Sequence, residues 1–80
     1  MYLAVKEVKA LDNYILLLTF ENDEIRKFDM KPYLSFGIYQ KLKDISVFKT
    51  VKPSFDTIEW ENEIDIDPEI LNTESFQEES

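Results

Sequence analysis

Apolar and polar residues alternate most cleanly between Thr57 and Ile66. Ile58, Trp60, Ile64 and Ile66 occupy every second position on either side of Glu61-Asn62-Glu63, and Glu59 and Asp65 fall between them. Side chains two apart in a strand share a face. A three-residue loop at 61–63 therefore pairs Trp60 with Ile64, Ile58 with Ile66, and Glu59 with Asp65. This hairpin has one apolar face and one acidic face. Asp67-Pro68-Glu69 then reads as a helix N-cap, a first helical residue and a carboxylate matched to the helix dipole. Ile70 and Leu71 would dock this short helical turn on the core.

Upstream, residues 3–11 alternate weakly, with Leu3, Val5 and Glu7 against Ala4, Lys6 and Val8. They predict a first strand, frayed at Met1. Asp12-Asn13 is a turn signal. Residues 14–20, Tyr-Ile-Leu-Leu-Leu-Thr-Phe, are apolar on both sides, as in a central strand covered on both faces. A two-residue turn at Asn22-Asp23 would pair Phe20 with Ile25 and Leu17 with Phe28. Those pairs lie on opposite faces, which suits a doubly covered strand or a bulge. Pro32 breaks the third strand and favours a first helical turn.

Ile38, Leu42, Ile45 and Phe48, with Tyr39 beside them, recur three or four residues apart. They predict two short helices, the second capped by Asp44. Helices this short are held only by packing on a sheet. The fold class is α+β: an antiparallel three-strand meander, two short helices, then an acidic C-terminal hairpin and a short helical turn. Residues 1–71 form one domain. Residues 72–80 are polar and acidic and are expected to be a disordered tail.

With 80 residues, there is room for one domain with a thin core. Cysteine and histidine are both absent, which removes disulfides, thiol chemistry and the commonest general base and metal ligand. Near Met1 there is neither the basic segment nor the apolar run of a signal peptide, and no apolar run is long enough to span a bilayer. The expected location is cytoplasmic. The net charge of −8 is uneven: residues 1–52 carry +2 and residues 53–80 carry −10. That asymmetry points to a basic partner or a solvated acidic end, and away from direct nucleic-acid binding.

Four segments resemble the domain-of-unknown-function 2442 family of small bacterial domains. They are Leu16-Leu-Leu-Thr-Phe-Glu-Asn22, Phe28-Asp-Met-Lys-Pro-Tyr-Leu34, Gly37-Ile-Tyr-Gln-Lys-Leu-Lys-Asp44, and Ile58-Glu-Trp-Glu-Asn62 continuing to Asp65-Ile-Asp-Pro-Glu69. The resemblance spans most of residues 5–71 and implies a small α+β fold with a meander sheet. It also implies an antitoxin or partner-binding role, because members often neighbour small toxin-like proteins. Some members carry a helix-turn-helix domain that this chain is too short to include, so a DNA role would be indirect. The resemblance transfers no catalytic residues. The chain departs from the family pattern at its loops: Glu61 stands where proline is usual, and Asp23 and Glu63 where glycine is usual.

The functional expectation is a non-enzymatic protein-binding module, antitoxin-like, that presents Glu59, Glu61, Glu63 and Asp65 to a basic protein partner. Trp60, on the apolar strand face, belongs to the core. Asp65, Asp67 and Glu69 lack the further ligands and the glycine of a calcium loop, so neither metal nor cofactor is expected. Paired carboxylates could serve glycoside hydrolysis, but no cleft is indicated. Lys41, Lys43, Lys49 and Lys52 read as a solvated helix face, and the tyrosines do not form a base-stacking platform. The alternative is a small-ligand-binding or enzymatic domain with a pocket between sheet and helices. A homo-oligomer built on an open edge strand is also compatible.

Overall fold

The computed structural model describes residues 3–77. The expected fray at Met1 and the last part of the expected tail, residues 78–80, lie outside the described residues. Among the described residues six strands form two three-stranded antiparallel sheets. The first contains β1 (Val5–Ala10), β2 (Ile15–Phe20) and β3 (Ile25–Asp29), with β2 central. The second contains β4 (Lys52–Ser54), β5 (Thr57–Trp60) and β6 (Ile64–Asp65), with β5 central. Between them lie a 3₁₀ segment, Gly37–Lys43, and a single helical turn, α1 (Ile45–Phe48). The helix α2 (Pro68–Glu74) follows the second sheet.

The weak alternation of the first strand has a structural cause. The β1–β2 register shifts between Val5 and Glu7. This bulge moves the inward side from the odd positions to the even ones. Val5, Val8 and Ala10 all face partners on the buried side of β2, namely Phe20, Leu18 and Leu16. The meander is as expected, but its second turn is not. Thr19 faces Ile25 and Leu16 faces Phe28, one position away from the register of a two-residue turn. The loop has three residues: the Phe20 N–H donates to Glu24 O at 2.9 Å, and Asp23 has φ 67°. A left-handed third residue is the usual ending of such a loop. The inner face of β2 (Leu16, Leu18, Phe20) is fully buried, whereas Ile15, Leu17 and Thr19 are only half-buried. Double coverage of the central strand is therefore partial.

Asp44 caps α1 as its position predicts, accepting from the Ser46 N–H at 3.0 Å. Leu42 and Phe48 enter the core, but Ile38 and Ile45 stay exposed. The preceding segment is 3₁₀ rather than α, with three residues per turn. An α-type spacing therefore misplaces Ile38. Asp67 caps α2, accepting from the Glu69 N–H at 2.8 Å, and Leu71 is fully buried.

The second half of the chain contains one strand that was not predicted and one correction to the predicted end of the domain. Pro53 lies within a strand, β4, that pairs with β5. β4 is an edge strand, where a missing N–H is tolerated. The folded chain also continues past Leu71. α2 runs to Glu74, and Phe76 and Lys27 exchange both backbone hydrogen bonds, at 2.7 and 2.9 Å, on the outer edge of β3. Asn72 accepts from the Leu3 N–H at 2.8 Å and donates to Leu3 O at 2.9 Å. Arg26 donates to Asn72 O at 3.0 Å while its guanidinium lies over the Phe20 ring. Residues 72–77 are thus part of the domain rather than a tail.

The two sheets meet where β1 runs beside β4, and the Val5 N–H donates to Asp56 O at 3.3 Å. One buried cluster, including Leu16, Phe28, Leu42, Phe48, Ile58 and Trp60, joins both sheets to the helices.

Candidate functional site

The second sheet is built as the alternation requires. Glu59 faces Asp65, and Trp60 faces Ile64. Ile58, Trp60, Ile64 and Ile66 are all at most 2% exposed, so the apolar face is entirely inside. Trp60 stacks on Phe48 and donates its indole N–H to Phe48 O at 2.9 Å, which makes it a core residue. Glu63 has φ 61°, the left-handed conformation expected of the third loop residue. Asp23 and Glu63 hold the same conformation at the ends of two hairpin loops. Both are positions where glycine would be unstrained.

The four candidate carboxylates lie around one sheet face but are not equivalent. Glu61, Glu63 and Asp65 are exposed, and among the described residues they form no ion pair. Glu59 is half-buried and has a neighbour that the sequence did not reveal. Lys52 of β4 faces it across the strand pair, with Lys52 Nζ 3.8 Å from Glu59 Oε1. A partly exposed pair at that distance contributes little. Lys52 thus belongs to the sheet face and not to a helical patch with Lys41, Lys43 and Lys49.

Glu59 stands on a ridge between two shallow depressions. One is bordered by Thr50, Lys52, Glu61 and Glu63. The other is bordered by Phe55, Thr57, Asp65, Asp67 and Pro68. The loop is fixed by its backbone: the Glu61 N–H donates to Thr50 Oγ1 at 3.1 Å. Tyr39 holds the outer edge of β6, donating to Asp65 O at 2.9 Å. Burial first, then the negative charges of Asp65 and Asp67, push the Tyr39 phenol above its ordinary pKa. The neutral, donating phenol is favoured there.

Among the described residues no group of three or more acidic side chains is placed to hold a metal ion. Asp67 is occupied as a helix cap. No polar or charged residue is buried among those described, and Leu16, Leu42, Phe48 and Trp60 lie in the shared core. No described helix is long and apolar enough to cross a membrane. Sequence reasoning missed Phe55, which is fully exposed at the tip of the β4–β5 turn.

A family model described as a protein of unknown function (DUF2442) matches residues 5–77. No curated protein matches the chain, and no solved structure does.

Proposed function

We propose that this chain, which belongs to the DUF2442 family, is a non-enzymatic protein-binding module of the cytoplasm. Its acidic sheet face meets a basic protein surface, in the manner of an antitoxin covering a small toxin-like partner. One observation carries the reading. Glu61, Glu63 and Asp65 surround Glu59 on an exposed face whose only close cation is the loosely placed Lys52 among the described residues. Like charges opposed across strands are mildly unfavourable in the free protein. A basic surface relieves that repulsion and is steered toward it from a distance.

The test uses the full chain, immobilised, against an extract of its native host. Glu61→Lys combined with Asp65→Lys reverses two exposed charges and leaves half-buried Glu59 alone; circular dichroism verifies that the variant folds. A basic protein should be retained by the natural chain at low salt. It should be released near about 0.5 M salt, where the screening length is roughly 4–5 Å. The variant should not retain it. A partner held equally by both proteins at both salt concentrations would remove the acidic face from consideration.

A further inference from the structure

Two unfavourable features coincide at Phe55. Ser54 pairs with Thr57, so Phe55 and Asp56 form a two-residue hairpin loop. Phe55 has φ 55°, whereas Asp56 is not left-handed. This is the pattern of a type II′ turn, whose first central position is normally glycine. A bulky side chain there is a conformational outlier. Phe55 is also 100% exposed, against 63% for Phe36, the next most exposed large apolar residue among those described. A wholly exposed ring has no packing to lose on truncation, so Phe55 returns nothing to the fold for its strain.

Its surroundings indicate what the ring could meet. The depression beside Phe55 is lined by Asp56, Glu59, Asp65, Asp67 and Pro68, and no lysine or arginine lines it. An exposed apolar residue bordered by charged ones has the composition of an interface anchor with a polar rim. The charge selects a basic partner, and the ring requires an apolar recess within it.

We propose that Phe55 is the apolar anchor of the acidic face: it seats in an apolar socket on a basic protein, while Glu59, Asp65 and Asp67 meet the socket's basic rim. This rests on the acidic-face reading above and adds the feature that separates a true partner from any polycation. Lysine and arginine set among polar residues would satisfy the carboxylates and leave the ring in water. Burying that ring on binding removes a large apolar area from solvent.

Two peptides of equal length and equal positive charge serve as probes, one alternating lysine with leucine and the other lysine with serine. Both are titrated at low salt into the full chain and into its Phe55→Ser and Phe55→Gly variants. The natural chain should bind the lysine–leucine peptide about tenfold more tightly, equivalent to about 1.4 kcal/mol. Both substitutions should abolish that preference and leave lysine–serine binding unchanged. Phe55→Gly should also raise Tm, because it relieves the turn. A preference that survives in both variants, or no preference in the natural chain, overturns the anchor and leaves the acidic-face reading standing. Failure of both peptides to bind overturns the two together. A lower Tm for Phe55→Gly would make Phe55 a residue of the fold and would also overturn the inference.

Discussion

Replacing Glu63 with glycine should stabilise the domain. Glu63 has φ 61° and closes the loop between the paired residues Trp60 and Ile64. A left-handed residue other than glycine costs about 1–2 kcal/mol. Glycine recovers that strain but loses about 0.4–1 kcal/mol through its larger unfolded entropy. The expected net gain is about 0.5–1 kcal/mol, which for a domain of this size raises Tm by about 2–8 °C. The substitution also removes a charge near Glu59 and Glu61, which border the same depression. Thermal unfolding should therefore be followed in about 1 M salt, where screening acts within about 3 Å. Glu63→Ala is the control, since it removes the charge and keeps the Cβ. If alanine stabilises as much as glycine, the gain is electrostatic and the strain argument fails. If glycine destabilises, Glu63 contributes something other than a strained backbone. Asp23→Gly should gain less than Glu63→Gly, because Asp23 also holds Lys6 at 2.6 Å.

Asn72→Ala removes three hydrogen bonds, two to the Leu3 backbone and one to Pro68 O. It should cost about 1–3 kcal/mol in urea unfolding. An unchanged midpoint would show that water replaces the side chain. Trp60→Phe leaves the buried Phe48 carbonyl without its donor and opens a void beside it. A loss of about 2–4 kcal/mol is expected, with the unfolding slope m unchanged. Tyr39 ionises less readily in the fold, chiefly through burial and then through Asp65 and Asp67. Its contribution to stability is complete below the ordinary tyrosine pKa of about 10 and is lost as pH rises through the raised value. Tyr39→Phe should flatten this alkaline fall in Tm. Tyr33, raised by burial and Glu74, should leave a remainder.

The hairpin at 57–66 was legible because its apolar residues follow a strict period of two, which admits one register. The turn at 21–23 was not. β2 carries apolar residues on both sides, so shifting its partner by one position exposes no obvious error. β4 was hidden by Pro53, which reads as a breaker unless the strand is known to be an edge. With β4 hidden, Lys52 could not be seen opposite Glu59, and the acidic face looked more uniform than it is. Phe55 gave no signal at all. Nothing in Ser-Phe-Asp marks a left-handed phenylalanine, since turn rules place glycine or asparagine there. The end of the fold was misjudged at Leu71 because Asn72 and Phe76 act through backbone partners, which leave no trace in hydropathy.

The clasp between Leu3 and Asn72 joins positions 69 apart in the chain. On the ribosome the first strand emerges long before the residue that secures it. β1 and β2 can pair early, but the segment ahead of β1 must wait for α2. Phe76 reaches Lys27 later still. Closing so long a loop slows folding more than it alters the final stability. The edge of β3 therefore stays uncovered from the emergence of β3 until Phe76 follows it. A partner that bound during this interval would meet an incomplete sheet, whereas one that needs the acidic face must wait for the hairpin at 57–66.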